Sequence, residues 1–99
     1  MMIARVIGTL VSTQKEPTLE GLRFLVCQPV NAGGDKTGSA LVAADAVGAG
    51  VGEMILYATG SSARQTIATQ NRPVDAVVMA IVDQWEVAGE TKYRKSEDA

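Results

Sequence analysis

The residues that could perform chemistry are few in this 99-residue chain, and they lack the partners that catalysis needs. Histidine is absent and Cys27 is the only cysteine, so neither an internal disulfide nor a zinc-type set of Cys and His ligands can form. Cys27 lies inside an apolar run, and with no histidine to activate its thiol we expect a buried structural cysteine. The composition predicts a protein that is not an enzyme and that holds neither metal nor cofactor.

Carboxylates adjoin apolar segments at four places, but their spacing defines no acid and base pair. They are Asp45, Glu53, Asp75 and Asp83. Asp83 interrupts the apolar stretch that begins at residue 77 and, if buried, it requires a cation or an N–H donor. The candidate cations are Arg5, Arg64 and Arg72. A structural salt bridge is therefore the expected role of Asp83.

The glycine-rich run GAGVG at 48–52 suggests a nucleotide site, but its surroundings argue against one. A dinucleotide fingerprint needs a strand before the glycines and a helix after them, so that the helix N-terminus meets the pyrophosphate. Here Glu53 and a strand-like run follow, and no Gly-Lys-Ser/Thr sequence is present. We interpret the run as a tight corner with positive φ angles.

The charge balance and the aromatic content count against nucleic acid as a partner. Formal net charge is −2 at pH 7, and the aromatic side chains are too few to stack bases along a basic groove. A module that binds oligonucleotides or a small ligand is nevertheless the alternative function for a small barrel. The basic residues Lys92, Arg94 and Lys95 cluster near the C-terminus, which we interpret as a solvated tail ending at residues 96–99.

The expected location is the cytoplasm. No apolar run approaches the roughly 20 residues that cross a bilayer, so no membrane partner is expected. The opening residues lack the charged start, apolar stretch and cleavage site of a signal peptide.

Strand-like segments account for most of the chain, and Gly, Pro and Asn mark the turns between them. The predicted strands cover residues 2–12, 22–30, 39–44, 53–59 and 77–88, with a short addition at 91–94. The turn signal NAGGDKTG at 31–38 predicts a hairpin between the second and third strands. Ser61 or Ser62 is placed to cap one or two helical turns after the fourth strand.

The first strand is apolar on both faces, because Ala4 and Val6 point one way while Ile3 and Ile7 point the other. An isolated domain usually leaves one face wet, so we expect the second face to pack against a barrel wall or another subunit. Five strands in so short a chain predict one all-β domain over residues 1–99, a small, partly open, OB-like barrel with one short helix.

Several motifs occur together in the order and spacing of one protein family. They are MIARVIGTLVSTQK at 2–15, DAVGAGVGE at 45–53, GSSAR at 60–64, RPVDA at 72–76 and AIVD at 80–83. In these motifs the chain resembles the EutN/CcmL family of bacterial microcompartment vertex proteins. The resemblance covers nearly the whole sequence, and only residues 89–99 match the family loosely. VSTQK and GAGVGE with GSSARQ are more similar to the branch from catabolic compartments than to the carboxysomal branch.

The resemblance implies an OB-like barrel that assembles as a cyclic homopentamer with a small central opening. Such pentamers cap the vertices of a polyhedral shell whose flat facets are built from hexameric shell proteins. A sheet of hexagons stays flat, so closure requires five-fold units. The implied role is structural and the implied location is the shell of a cytoplasmic microcompartment.

The resemblance also assigns positions to individual residues. It implies that the central opening is lined by Gly60, Ser61, Ser62, Ala63 and Arg64. It implies that the subunit interface or its support includes Arg5, Asn71, Arg72, Pro73, Val74, Asp75 and Asp83. Loops of Gly, Ala and Ser let backbones approach closely, as a narrow opening or a compact joint between subunits requires.

Overall fold

The computed structural model describes residues 1–98, and Ala99, the last residue of the predicted tail, lies outside this range. The strands are β1 (Met2–Leu10), β2 (Phe24–Val30), β3 (Leu41–Asp45), β4 (Met54–Thr59), β5 (Ala76–Ile81), β6 (Gln84–Val87) and β7 (Glu90–Arg94). Short 3₁₀ helices are η1 (Pro17–Leu19), η2 (Gly60–Arg64) and η3 (Lys95–Glu97).

Strands β1 to β5 form a closed barrel in the order β1-β2-β3-β5-β4. Neighbouring strands are antiparallel except β3 and β5, which run parallel. The all-β, five-stranded, OB-like barrel is confirmed, and so is the hairpin between β2 and β3. The expectation of a partly open barrel is wrong, because β1 pairs with both β2 and β4 while β5 joins β3 to β4.

Small and branched side chains fill the barrel, since a five-stranded barrel leaves little interior space. Val6, Leu25 and Ile55 are fully buried inside it, together with Cys27. Burial and, to a lesser extent, the nearby charge of Asp45 raise the pKa of the Cys27 thiol to about 11. Cys27 is therefore the protonated structural cysteine that the sequence predicts.

The outer face of β1 is covered over only part of its length. Ile3 packs against a cluster that contains Met54 and Tyr93. Ile7 and Val11, farther along the chain, are 48% and 87% exposed. The second apolar face of β1 thus meets the chain's own C-terminal segment at one end and is open at the other.

The C-terminal segment differs most from prediction. The strand expected over 77–88 ends at Ile81, because its partner strand β4 begins at Met54. The Val82 N–H donates to the Met54 carbonyl at 2.8 Å, and this bond is the last one between the two segments. The chain resumes as β6, which pairs with β7 in a separate two-stranded sheet. The strand at 91–94 is confirmed as part of β7.

The interpretation of the C-terminus as a solvated tail is wrong for this hairpin. Tyr93 is buried, and its ring stacks on Trp85 with the centroids 5.4 Å apart. The Trp85 Nε1–H donates to the Ala32 carbonyl at 2.8 Å. An aromatic pair supplies enough apolar surface to hold a short hairpin on the barrel, even though its basic residues remain at the surface.

The helical elements are single turns. The predicted short helix is η2, but neither Ser61 nor Ser62 caps it, because Thr59 occupies the N-cap position and makes no side-chain bond there. Instead the Gly60 N–H donates to the Asp75 carbonyl at 2.9 Å. None of the helices formed by residues 1–98 has the length and apolar character to cross a membrane.

Candidate functional site

Hydrogen bonds to the side chain of its first residue, Asp45, stabilise the corner at residues 45–53. The Asp45 side chain is only 2% exposed, and its Oδ1 accepts the backbone N–H groups of residues 47–49 at 3.1–3.3 Å. Its Oδ2 pairs with Arg23 Nη1 at 2.6 Å, and the same Arg23 nitrogen donates to the Ala49 carbonyl. A buried carboxylate with four donors is fully satisfied, so Asp45 is a structural residue.

The side chain of the last residue of the corner, Glu53, also stabilises it by hydrogen bonds. Glu53 Oε1 accepts the Gly50 N–H at 2.6 Å, and Oε2 accepts Lys95 Nζ at 2.5 Å. The Lys95 hydrogen bond first, and the Gly50 N–H second, lower the pKa of Glu53. Two carboxylates of the chain therefore use the corner N–H groups that a phosphate would need, which favours the interpretation of a structural corner.

Arg5 joins this corner to the C-terminal segment. Its Nη1 donates to the Gly52 carbonyl at 2.7 Å and to Asp98 Oδ2 at 2.9 Å. Its guanidinium also lies over the Tyr93 ring, 5.9 Å from the centroid. The guanidinium thus connects β1, the corner and the segment after β7 within one subunit.

Asp83 does not pair with the arginines that the sequence suggests. Arg5 binds Asp98 instead, and the described part of the chain gives Asp83 no salt bridge. Asp83 is exposed, and its carbonyl accepts the Lys95 N–H at 2.8 Å. The expectation fails because the chain leaves the barrel at this point, so the Asp83 carboxylate keeps its contact with water.

The predicted pore loop is a rigid surface turn anchored by one residue. Ala63 is fully buried in a cluster with Ala58 and Val77. The other members of the loop are exposed; they are Gly60, Ser61, Ser62 and Arg64. Arg64 Nη1 donates to the Val74 carbonyl, though at 3.4 Å. The loop can therefore present glycine and serine to an opening while Ala63 holds it on the barrel.

Thr69, which no pattern in the sequence singled out, stabilises the connection between η2 and β5. Its side chain is fully buried, and its Oγ1 donates to the Ala63 carbonyl at 2.6 Å. Thr66 Oγ1 lies 2.6 Å from the Thr69 hydroxyl and accepts the Thr69 N–H at 3.0 Å. The threonine spacing at 66 and 69 is the signal that could have indicated this local bonding.

The residues predicted for the interface separate into two groups. Arg72 and Val74 are used within the subunit: Arg72 Nη1 donates to the Glu20 carbonyl at 2.6 Å, and Val74 is buried beside η2. Asn71, Pro73 and Asp75 are exposed. The segment therefore has one anchored side and one side open to a neighbour.

Fold and site together define a small closed barrel in which Asp45, Glu53 and Arg5 hold the loops by hydrogen bonds. The chain belongs to the EutN/CcmL family, described as "Ethanolamine utilisation protein EutN/carboxysome", whose profile matches residues 1–83.

Individual relatives match a longer part of the chain than the family profile does. The "Carboxysome shell vertex protein CcmL" of Gloeobacter violaceus is 45% identical over 97 residues, which are 98% of this chain and 97% of that one. Its solved structure has a TM-score of 0.93 and covers 98% of this chain and 100% of that one. The "Bacterial microcompartment shell vertex protein PduN" of Salmonella typhimurium is 46% identical and covers 84% of this chain and 96% of its own.

A pentameric assembly is described for solved relatives such as GrpN. The structure described as "GrpN pentameric microcompartment shell protein from Rhodospirillum rubrum" is 41% identical, has a TM-score of 0.80, and covers 88% of this chain and 99% of its own. The expected similarity to the catabolic branch stays unconfirmed, because the carboxysomal CcmL of Synechococcus elongatus is 50% identical over 98% of this chain, against 46% over 84% for PduN.

Proposed function

We propose that this chain is a structural, non-enzymatic shell protein whose homopentamers cap the vertices of a polyhedral bacterial microcompartment. The similarity to named shell vertex proteins along almost the whole chain carries this proposal. The pentameric form of GrpN supports five as the ring size.

The contacts of the charged residues support a structural role over the ligand-binding alternative. Asp45 and Glu53 bind N–H groups of their own loop, and Arg5 binds Gly52 and Asp98. Groups that are satisfied in this way hold a shape and offer little to a ligand.

Within the ring, the loop at 60–64 lines the central opening. Gly60, Ser61, Ser62 and Arg64 contribute surface to the opening, and buried Ala63 fixes the loop on each barrel.

The subunit interface contains residues that contact the neighbour and residues that support them from within. Exposed Asn71, Pro73, Asp75 and Asp83 contact the neighbouring subunit. Arg5, Arg72 and Val74 act from inside, because each is already held by its own chain. The pentamer in turn contacts hexameric shell proteins around each vertex.

Native mass spectrometry of the purified chain tests the ring. Five subunits of 10.4 kDa give about 52 kDa, and this species should persist at micromolar concentration. A stable 10.4 kDa monomer, or a ring of another size, would contradict the proposal.

A further inference from the structure

One edge of β3 is open over its first half. β3 pairs with β2 along residues 41–44, but it pairs with β5 at only two positions, which begin at Ala44. The segment before β5 turns away towards η2, where the Asp75 carbonyl accepts the Gly60 N–H. Among residues 1–98, no strand therefore lies beside this edge at residues 41–43.

A groove of about 520 Å³ runs along this open edge. Its lining consists of Leu41, Val42, Thr59, Gly60, Asp75 and Ala76. Val42 is 43% exposed, and within the described part of the chain residues 41–43 pair only with β2, which leaves the backbone groups on the other side of the strand available to another strand.

A second open edge belongs to β1. β1 pairs with β2 as far as Leu10, but it pairs with β4 only along residues 2–5. Val6 exchanges backbone hydrogen bonds with the corner, through the Glu53 carbonyl and the Gly52 N–H. Residues 7–10 extend beyond β4 and beyond the corner, so neither covers this side of β1 there. Ile7 and Leu10 are exposed.

Neither open edge is protected against pairing. Natural sheets block their edges with lysine, proline or inward-pointing charge, or they cover them. The β1 edge reads IGTL at 7–10 and the β3 edge reads LVA at 41–43, so neither carries a charge or a proline. Edges of this kind are expected in a chain whose edges are paired in its assembled state.

The two edges lie on different sides of the subunit, because β2 separates β1 from β3 in the barrel. They cannot pair with each other within one chain. A cyclic ring needs just this arrangement, since each subunit meets its two neighbours through two different patches.

We propose that neighbouring subunits of the ring join by β-sheet pairing, with residues 7–10 of one copy bonded along residues 41–43 of the next. The partner of both edges is a second copy of this chain, and the inference rests on the proposed homopentamer. Side-chain contact between Ile7 and Val42 would fill the groove beside β3.

Disulfide cross-linking tests the pairing directly. The double variants Ile7→Cys/Val42→Cys and Thr9→Cys/Val42→Cys place cysteines on the two edges in alternative registers. At least one should give, on mild oxidation, a covalent ladder that ends at five subunits. The single variants, which retain buried Cys27, should give no species beyond a dimer.

Hydrogen exchange on the unmodified protein provides a test that does not depend on how the variants fold. In the intact pentamer, the amides at 7–10 and 41–43 that point away from β2 should exchange at least ten-fold more slowly than in subunits dissociated by dilution. A pentamer with fast exchange at both edges and no cross-linked ladder would overturn the pairing and leave the proposed function intact. Absence of any pentamer would overturn the proposed function as well.

A lysine variant supplies a matched comparison. Val42→Lys should raise the concentration at which the ring dissociates by at least ten-fold, because edge lysines block strand pairing. Val47→Lys, at 41% exposure in the corner, should leave that concentration unchanged. Equal effects of both substitutions would count against the proposal.

Discussion

At the scale of the residue, the missing histidines and the single cysteine predict a chain that is not an enzyme. They could not predict which charges pair. Glu53 binds Lys95, 42 positions away, and Arg5 binds Asp98, 93 positions away. Such pairs follow from how the barrel folds, and neither local composition nor spacing contains that information.

Asp45, the last residue of β3 with a buried side chain, should be sensitive to substitution. Asp45→Ala leaves the N–H groups of residues 47–49 and Arg23 without their acceptor. We expect the free energy of unfolding to fall by about 2 kcal/mol. Urea unfolding measures it, with Asp35→Ala, at an exposed position of the β2–β3 loop, as the control. Equal losses for both variants would refute the role assigned to Asp45.

The contact between Glu53 and Lys95 should make the docking of the C-terminal segment depend on pH. Because the folded-state pKa of Glu53 is lowered, first by Lys95, its contribution to stability is complete above the ordinary glutamate pKa of about 4.3. That contribution is lost as the pH falls through the lower folded value. Trp85 is the only tryptophan, and its stacking partner Tyr93 lies two residues before Lys95, so its emission should report the loosening between about pH 5 and pH 3.

The matched variants for this experiment are Glu53→Gln and Glu86→Gln. Glu53→Gln should remove the acid-induced change in emission, because no carboxylate remains at this position to titrate. Glu86→Gln, on the exposed side of the same hairpin, should behave like the unmodified chain. An unaltered profile for Glu53→Gln would show that the Lys95 contact does not hold the segment.

At the scale of the element, side-chain alternation and turn residues predicted the barrel strands and the β2–β3 hairpin. The error at 77–88 has a physical cause. That run is continuously suited to a strand, and it breaks after Ile81 because its partner strand β4 begins at Met54, a limit that only the folded barrel sets. The docking of the last hairpin was missed because Trp85 and Tyr93 must meet across two strands.

In the proposed ring, the loop at 60–64 lines the central opening. Ser62→Trp should narrow or close the opening without preventing assembly, because Ser62 is exposed while Ala63 anchors the loop. A crystal structure of the variant ring would measure the opening, and Ser96→Trp in η3 serves as the control. An opening of unchanged diameter in the Ser62 variant would show that the loop lies elsewhere in the ring.

At the scale of the whole molecule, composition and apolar edges indicate a self-associating barrel, whereas the vertex role comes from family membership. The number five depends on the angle between neighbouring subunits, and small changes in contacting side chains alter that angle. No motif in a single sequence encodes it. Support for the proposed five-fold ring comes from GrpN, which is described as pentameric and is 41% identical to this chain.

The most direct measurement of the central claim is shell closure. A hexameric shell protein is co-expressed with and without this chain, and the assemblies are imaged by electron microscopy. With the chain, closed polyhedra should form with five-fold density at their vertices; without it, sheets or open-ended tubes should predominate. Closed polyhedra in equal number without the chain, or vertices that lack it when it is present, would contradict the claim.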